Sequence, residues 1–568
     1  MFWDPLFEHV AAVSGAPASQ VKTITALLLA YPLASIYVRI PPSRPNLAHL
    51  YSIAISIFFL VPLLGLGKGL LHLLFSCFGV YAIVITLRGP NMPWVAFIFA
   101  MSHLLYNHII NTIYGVPVTE IEITFTQMVF VMNLTTFAWN VHDGRQKAED
   151  LDESQLATRL SHVPSPLPFL GYCFFFPAML IGPSLDYATY DSLVKGTIYT
   201  TPPPGTGTEQ AKAAKRRIPY GRKRVAYLHL IIGLAFLGIY AVYGSRGSYT
   251  RILGDDWSKW GHLTRFGFIQ FAGFVARTKY YAVWSLSEGA CILTGVGFNG
   301  YDPKTGRTLW NRVRNINIVS IETAESFKVL FDSWNCRTNV WLRDCVYKRL
   351  TKKGQKPGSK QSMATFVTSA IWHGIAPGYY LAFVTAGFFT TLGRQFRRYV
   401  RPYFLPADNT SASPNSLPKY PYPNAKKRLY DLIGWFVVQI NLNYVACAFM
   451  LLSFKGCLTA WQRMGYYGHV MIALATAFFR FGGRRLLRKG VKTEPKKDKR
   501  DVPNLQVSPP SPPEDETDPK DLRWVKHALD NPSYQDGGEG VHLDEVMMDE
   551  WMESPETPSI EKPRPKEW

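Results

Sequence analysis

Apolar runs recur along almost the whole chain, separated by loops rich in Lys, Arg, Pro and Gly. They occupy residues 24–38, 47–66, 70–87, 94–110, 125–141, 169–181, 225–243, 266–284 continuing to 293, 363–392, 432–454 and 468–481. A bilayer core of roughly 30 Å needs about 18 or more such residues in a helix. Several runs are short or broken by Gly and Pro, so the pattern predicts about nine to eleven spans. A buried core helix imitates one such run but not a series. The expected fold is an all-α integral membrane protein, a multi-span helical bundle.

The pattern changes between residues 310 and 360. Stretches 321–331 and 339–350 place apolar residues three and four apart, as in helices at an interface or lining a cavity. Polar backbone at membrane depth is tolerated only where it faces protein or water. The Trp334-Asn335 turn is therefore expected to join two such helices at the rim of an internal chamber.

Composition overrides the length-based expectation that 568 residues form several soluble domains. Three regions are expected: an N-terminal segment (1–20), a transmembrane domain (21–490) and an acidic, Pro-rich, disordered cytosolic tail (491–568). Residues 543–552 read as a short helix within that tail. The segments 200–208 and 401–419 read as a flexible connector and an exposed loop. The opening Met1-Phe2-Trp3-Asp4-Pro5 lacks a signal-peptide pattern, so the first span is expected to serve as an uncleaved anchor.

The net charge of +20 is uneven: from Asp501 onward, 17 acidic side chains stand against 6 basic ones, leaving −11 there and +31 elsewhere. Basic clusters at 212–224, 343–360, 394–401 and 484–500 mark loops on the cytoplasmic side. No separate basic module exists to bind nucleic acid. The seven cysteines, an odd number lying mostly in or beside apolar runs, read as reduced thiols rather than a disulfide framework.

Within the run 363–392 stands His373, in Ser369-Ala370-Ile371-Trp372-His373-Gly374 and followed by Pro377-Gly378-Tyr379-Tyr380. An ionisable residue in a membrane span is a functional-site hypothesis by default. An imidazole kept from water stays neutral near pH 7, the form that accepts a proton. For a lone histidine, helix packing is the favoured explanation. The upstream cluster Ser333-Trp334-Asn335-Cys336-Arg337-Thr338-Asn339 tips the balance toward a site, because Asn335 can orient a hydroxyl or steady an oxyanion. Glu288 with Arg277 and Lys279 reads either as a structural charge pairing or as a contact to ligand phosphates. Asn133 and Asn140, a heptad apart, read as helix-packing groups, with Gln127 off their stripe.

Other chemistries lack their signatures. His103 and His108 are not in an HxxHH cluster, which excludes a di-iron desaturase. Asp143-Gly144-Arg145 begins but does not complete a CDP-alcohol phosphotransferase motif. No P-loop or zinc-ligand spacing occurs, so no metal and no cofactor is expected.

The paired motifs Ser333-Trp334-Asn335 with Trp341-Leu342, and Trp372-His373-Gly374 with Pro377-Gly378-Tyr379-Tyr380, resemble the membrane-bound O-acyltransferases. Within that family they are most similar to the lysophospholipid acyltransferase branch and its fungal broad-specificity members. Lys279-Tyr280-Tyr281, Trp284, Glu288 and Gly182-Pro183 support the match, which runs over roughly residues 20–490.

The resemblance implies a central reaction chamber, with acyl-CoA entering from the cytosol as co-substrate and a lysophospholipid entering from the bilayer. It assigns His373 as the base that deprotonates the acceptor hydroxyl and Asn335 as its partner, with Asn339 the substitute if the register slips. No acyl-enzyme is needed, because the thioester is already activated. Trp334, Trp341, Trp372, Tyr379, Glu288, Lys279 and Arg343 are the expected substrate-binding residues. Arg343, Lys348, Arg349, Lys352 and Lys353 suit the CoA phosphates, and read at least as well as ordinary cytosolic-loop charge.

The implied acceptors are lysophosphatidylcholine, -ethanolamine, -serine, -inositol or lysophosphatidic acid, in phospholipid remodelling at the endoplasmic reticulum membrane. Arg564-Pro565-Lys566-Glu567-Trp568 has dilysine-like spacing. The competing readings are a sterol or diacylglycerol acyltransferase of the same fold, and a lipid transporter or scramblase without chemistry.

Overall fold

The structure, a computed structural model, describes residues 3–117, 122–200, 218–303, 305–351, 358–405 and 425–488. Several expectations fall outside them: the 200–208 connector beyond Thr200, the basic run 212–217, Lys352 and Lys353, nearly all of 401–419, the 543–552 helix and the whole 491–568 tail with its dilysine-like end.

The described chain is built from helices, with one isolated antiparallel bridge between Tyr301 and Thr308. Among the described residues, five helices are long and apolar enough to cross a bilayer: Pro45–Leu63, Gly67–Thr86, Met92–Ile113, Arg222–Tyr243 and Ala425–Leu451. Only 11% of the apolar window of Arg222–Tyr243 is buried, and Leu228, Ile231, Leu234 and Val242 point outward. That face belongs against lipid.

Its neighbour, His262–Thr294, is the organising element. At 33 residues it is about 50 Å long, and from Tyr281 to Thr294 it is buried almost without interruption. Arg277, Lys279, Tyr280, Trp284 and Glu288 all stand on it.

Two apolar runs do not fold as single spans. Residues 169–181 divide between the short helices Pro166–Cys173 and Phe176–Met179, with Phe174, Phe175 and Phe176 fully buried. Their apolarity fills protein core rather than facing lipid. The run 363–392 breaks into Ser359–His373 and Pro377–Tyr399. Pro377 lacks the N–H a continuing helix requires, and Gly374 at φ 125° adopts a conformation open chiefly to glycine.

The expected amphipathic stretches are also shorter than their periodicity implies. Helices Ile318–Glu322 and Phe327–Ser333 are separate because Asn317 and Ser326 each cap a new start, accepting from the N–H of Ser320 and Val329 at 3.3 Å. Cys336–Leu342 passes into a π-helical turn at Arg343–Tyr347.

Candidate active site

The helix break leaves His373 as the last residue of its helix, directed into an aromatic enclosure. Phe383 stacks on the imidazole at 5.2 Å between ring centroids, Tyr379 lies at 5.4 Å, and Phe449 meets it edge-on at 5.1 Å. These rings come from Pro377–Tyr399 and Ala425–Leu451. The two helices approach closely because Gly378 has no Cβ to overlap the Ala448 carbonyl oxygen, and its N–H donates to Leu452 O at 2.7 Å. Among the described residues the imidazole makes no hydrogen bond.

Trp372 anchors the turn from behind. Its indole Nε1–H donates to Met128 O at 3.0 Å, and its carbonyl accepts from His108 Nε2 at 3.3 Å. A Cβ on Gly374 would sit 3.2 Å from the same His108 ring. The Trp372 ring lies 5.7 Å from Trp341, whose Nε1–H donates to Thr135 at 2.8 Å.

Trp341 belongs to helix Cys336–Leu342, which Asn335 starts in a left-handed conformation at φ 47°, ψ 52°. Asparagine is among the few non-glycine residues that tolerate this region. The Thr338 hydroxyl donates to Asn335 Oδ1 at 2.8 Å, so the oxygen is occupied while the amide NH2 makes no hydrogen bond among the described residues. Trp334 packs against Trp284 at 5.2 Å, Tyr280 at 5.5 Å and Tyr281 at 6.1 Å. The Asn335 turn thus abuts the long central helix, and its own helix abuts Trp372 beside His373.

The remaining expected residues divide. Lys279 lies over the Tyr280 ring at 5.2 Å, beside the Trp334 cluster. Asn339 folds back to donate to Phe331 O and Asp332 Oδ1, at 3.3 and 3.5 Å. Glu288 is 1% exposed and accepts the Asn315 N–H at 2.9 Å. It does not pair with Arg277, whose guanidinium makes a two-pronged bond of 2.8 Å to Glu322 and also donates to Asn443. Tyr281 donates to the same Glu322 carboxylate. That charge pair ties helices together and leaves Arg277 committed.

Three described cations of the 343–360 cluster are paired with carboxylates. Arg343 bonds Asp344 at 3.1 and 3.2 Å, Lys348 bonds Asp152 at 2.7 Å and Asp344 at 3.0 Å, and Arg349 clamps Asp143 at 2.9 and 2.5 Å while covering Trp139. Three cations meet three carboxylates. Burial would raise the Asp344 carboxyl, but Arg343 and Lys348 outweigh it and hold it below its ordinary value. Arg343, Lys348 and Arg349, expected at the CoA phosphates, are thus each engaged in an ion pair in the structure.

The packing role of the asparagines agrees with expectation: Asn133 Oδ1 accepts from Leu185 N and Asn140 donates to Thr158. Gln127 contacts His103, which also meets His72 and Ser76 beside a cleft of about 560 Å³ lined by Leu71, Phe75, Phe99 and Tyr106. That lining contains neither His373 nor Asn335. All seven cysteines are free, and no cluster of His, Cys, Asp and Glu suited to a metal occurs among the described residues. Asn315 carries no signal in the sequence, His108 enters there only as half of an absent HxxHH cluster, and Thr338 only as a member of the 333–339 cluster. The Thr338 spacing, three residues after Asn335 on a helix start, was the one readable signal.

Fold and site together define a polytopic helical membrane protein in which a histidine and an asparagine with an unbonded amide NH2 stand on segments linked by the Trp341–Trp372 contact. Known proteins make the class specific. The family model "MBOAT, membrane-bound O-acyltransferase family" matches residues 82–415. The chain is 37% identical over 473 residues to a lysophospholipid acyltransferase of Schizosaccharomyces pombe, covering 83% of this chain and 88% of that one. It is 35% identical over 490 residues to a lysophospholipid acyltransferase of Saccharomyces cerevisiae, covering 84% and 76%. Against human membrane-bound glycerophospholipid O-acyltransferase 2 it is 28% identical over 459 residues, covering 80% and 84%. The chain belongs to the membrane-bound O-acyltransferase family.

Proposed function

We propose that the protein transfers a fatty acyl group from acyl-CoA to the free hydroxyl of a lysophospholipid, with His373 as general base and Asn335 as oxyanion donor. The observation that carries this reading is the complementary state of the two side chains. The imidazole is enclosed by aromatic rings and makes no hydrogen bond, and the amide has its oxygen occupied and its NH2 unbonded.

His373 takes the hydroxyl proton as the lipid oxygen attacks the thioester carbonyl carbon. The carbonyl oxygen becomes an oxyanion and accepts from Asn335 Nδ2–H. The intermediate collapses with cleavage of the C–S bond, and the imidazolium returns its proton to the departing CoA sulfur. The products are a diacyl phospholipid and CoA thiol, with the imidazole neutral again. The rings of Phe383, Tyr379 and Phe449 cover part of the imidazole and limit the directions from which water can compete with the lipid hydroxyl. Base catalysis contributes about 10²–10⁴-fold, and positioning supplies much of the remainder.

The acceptors are lysophospholipids bearing choline, ethanolamine, serine, inositol or no headgroup alcohol, and the membrane is that of the endoplasmic reticulum. The test is a microsomal assay with an unsaturated acyl-CoA and separate lysophospholipid, sterol and diacylglycerol acceptors. Transfer to lysophospholipids is expected. Transfer to sterol or diacylglycerol alone would replace the acceptor class. Lipid movement with no transfer to any acceptor would replace the reaction itself.

A further inference from the structure

Glu288 stands 47 residues before Asn335, buried on the central helix, with a carboxylate that the reaction above does not use. A carboxylate at this depth is costly unless it holds something in place. One oxygen accepts the Asn315 N–H at 2.9 Å, and the other lies 3.8 Å from His229 Nε2.

Asn315 is itself 2% exposed, and both of its oxygens are engaged by the Asn335 turn. Its carbonyl accepts the Cys336 N–H at 2.8 Å, and its side-chain Oδ1 accepts the Arg337 N–H at 3.3 Å. Two of the first N–H groups of helix Cys336–Leu342, which have no partner within that helix, are satisfied by this one residue. On the other side of the turn, the Asn317 N–H donates to Ser333 O at 2.9 Å. The irregular strand of chain 315–317 thus grips the turn before and after Asn335. Glu288 fixes that grip to a rigid helix.

We infer that Glu288 is a positioning residue for Asn335, acting through the Asn315 main chain as a hydrogen-bond acceptor rather than as a ligand for substrate. This rests on the oxyanion-donor role proposed for Asn335. Asn335 holds a left-handed conformation, so a small release of either flank redirects its amide. Misplacing a catalytic group by about 1 Å costs on the order of 10²-fold in rate.

The test is a double-mutant cycle on purified full-length protein in lipid nanodiscs, using Glu288→Ala, Glu288→Gln and Asn335→Ala. Glu288→Ala is expected to lower kcat about 10²-fold with KM for both substrates nearly unchanged. Glu288→Gln keeps an acceptor of the same shape and is expected to restore kcat. The double variant Glu288→Ala/Asn335→Ala is expected to be no slower than Asn335→Ala alone, because both losses pass through one group.

A Glu288→Gln variant as slow as Glu288→Ala would overturn the inference in favour of a role for the charge. Additive losses, or a change confined to KM, would also overturn it. Asn335→Ala separately decides the reading beneath it: if that variant keeps full kcat, the oxyanion role and the brace both fall. If Asn335→Ala is slow while Glu288→Ala is unchanged, only the brace falls. Should Glu288→Ala not fold, Asn315→Ala removes the Oδ1 arm and takes its place in the cycle, with a lowered kcat and the same non-additivity expected. Additive losses or an unchanged kcat there overturn the inference.

Discussion

The Thr338 hydroxyl donates to Asn335 Oδ1 at 2.8 Å, and this single bond decides which end of the amide is presented. With the oxygen occupied, the two N–H groups are left for a substrate oxygen. An amide that rotated freely would offer an acceptor half the time, and an acceptor repels a developing oxyanion.

Thr338→Val preserves shape and removes the donor. Its kcat is expected to fall about 10-fold, less than the 10²–10³-fold typical of removing an oxyanion donor outright. Thr338→Ser should stay near wild type. Steady-state kinetics in nanodiscs check this; equal losses in both variants would point to packing against Met132, which Thr338 also meets at 3.2 Å.

Gly374→Ala places a Cβ at φ 125° and 3.2 Å from the His108 ring. Strain of about 1–3 kcal/mol is expected, concentrated at the turn that aims His373. Activity should fall much further than the thermal midpoint of the purified protein. A large stability loss with normal specific activity would contradict this placement.

Arg349→Ala leaves the Asp143 carboxylate, 1% exposed, without its clamp. Breaking a buried pair by removing one partner costs about 3–5 kcal/mol. The expected result is a strongly lowered thermal midpoint with little change in KM for acyl-CoA in the protein that remains folded. A raised KM at unchanged stability would instead restore the phosphate-binding role.

Asp344 is held below its ordinary value by Arg343 and Lys348 against the opposing effect of burial. A lowered folded-state value means the carboxylate contributes stability above its unfolded value of about 3.9, and that contribution is lost as pH falls through the folded value. The stability gap between wild type and Asp344→Asn should therefore be constant above about pH 5 and shrink below about pH 4. Thermal melts across that window check the sign, since a gap that widened in acid would be incompatible with it.

Much of the site was legible because its residues lie close together in sequence. Trp334-Asn335 and Trp372-His373-Gly374 are compact, and the helix break is announced by Gly374 and Pro377. What escaped depends on contacts between distant segments. The cations Lys348 and Arg349 looked free because their carboxylates, Asp152 and Asp143, stand 196 and 206 residues earlier. The sequence leaves Glu288 open between a charge partner and a ligand contact, because the group it accepts from, the Asn315 main-chain N–H, leaves no trace in side-chain pattern. Residues 169–181 looked like a span because hydropathy cannot separate protein core from lipid when both are equally apolar. The extent of the central helix is legible in the apolar run 266–293, while its pairing of Arg277 with Glu322 depends on helix Ile318–Glu322 turning back toward it.

The central claim is that His373 moves the acceptor's proton, and His373→Ala tests it most directly. The measurement is acyl transfer from unsaturated acyl-CoA to a panel of lysophospholipids in microsomes containing matched amounts of wild type or variant. The expected result is robust transfer by wild type and none above background by His373→Ala, with the variant still membrane-inserted and thermally intact. Undiminished transfer by a folded His373→Ala would contradict the account.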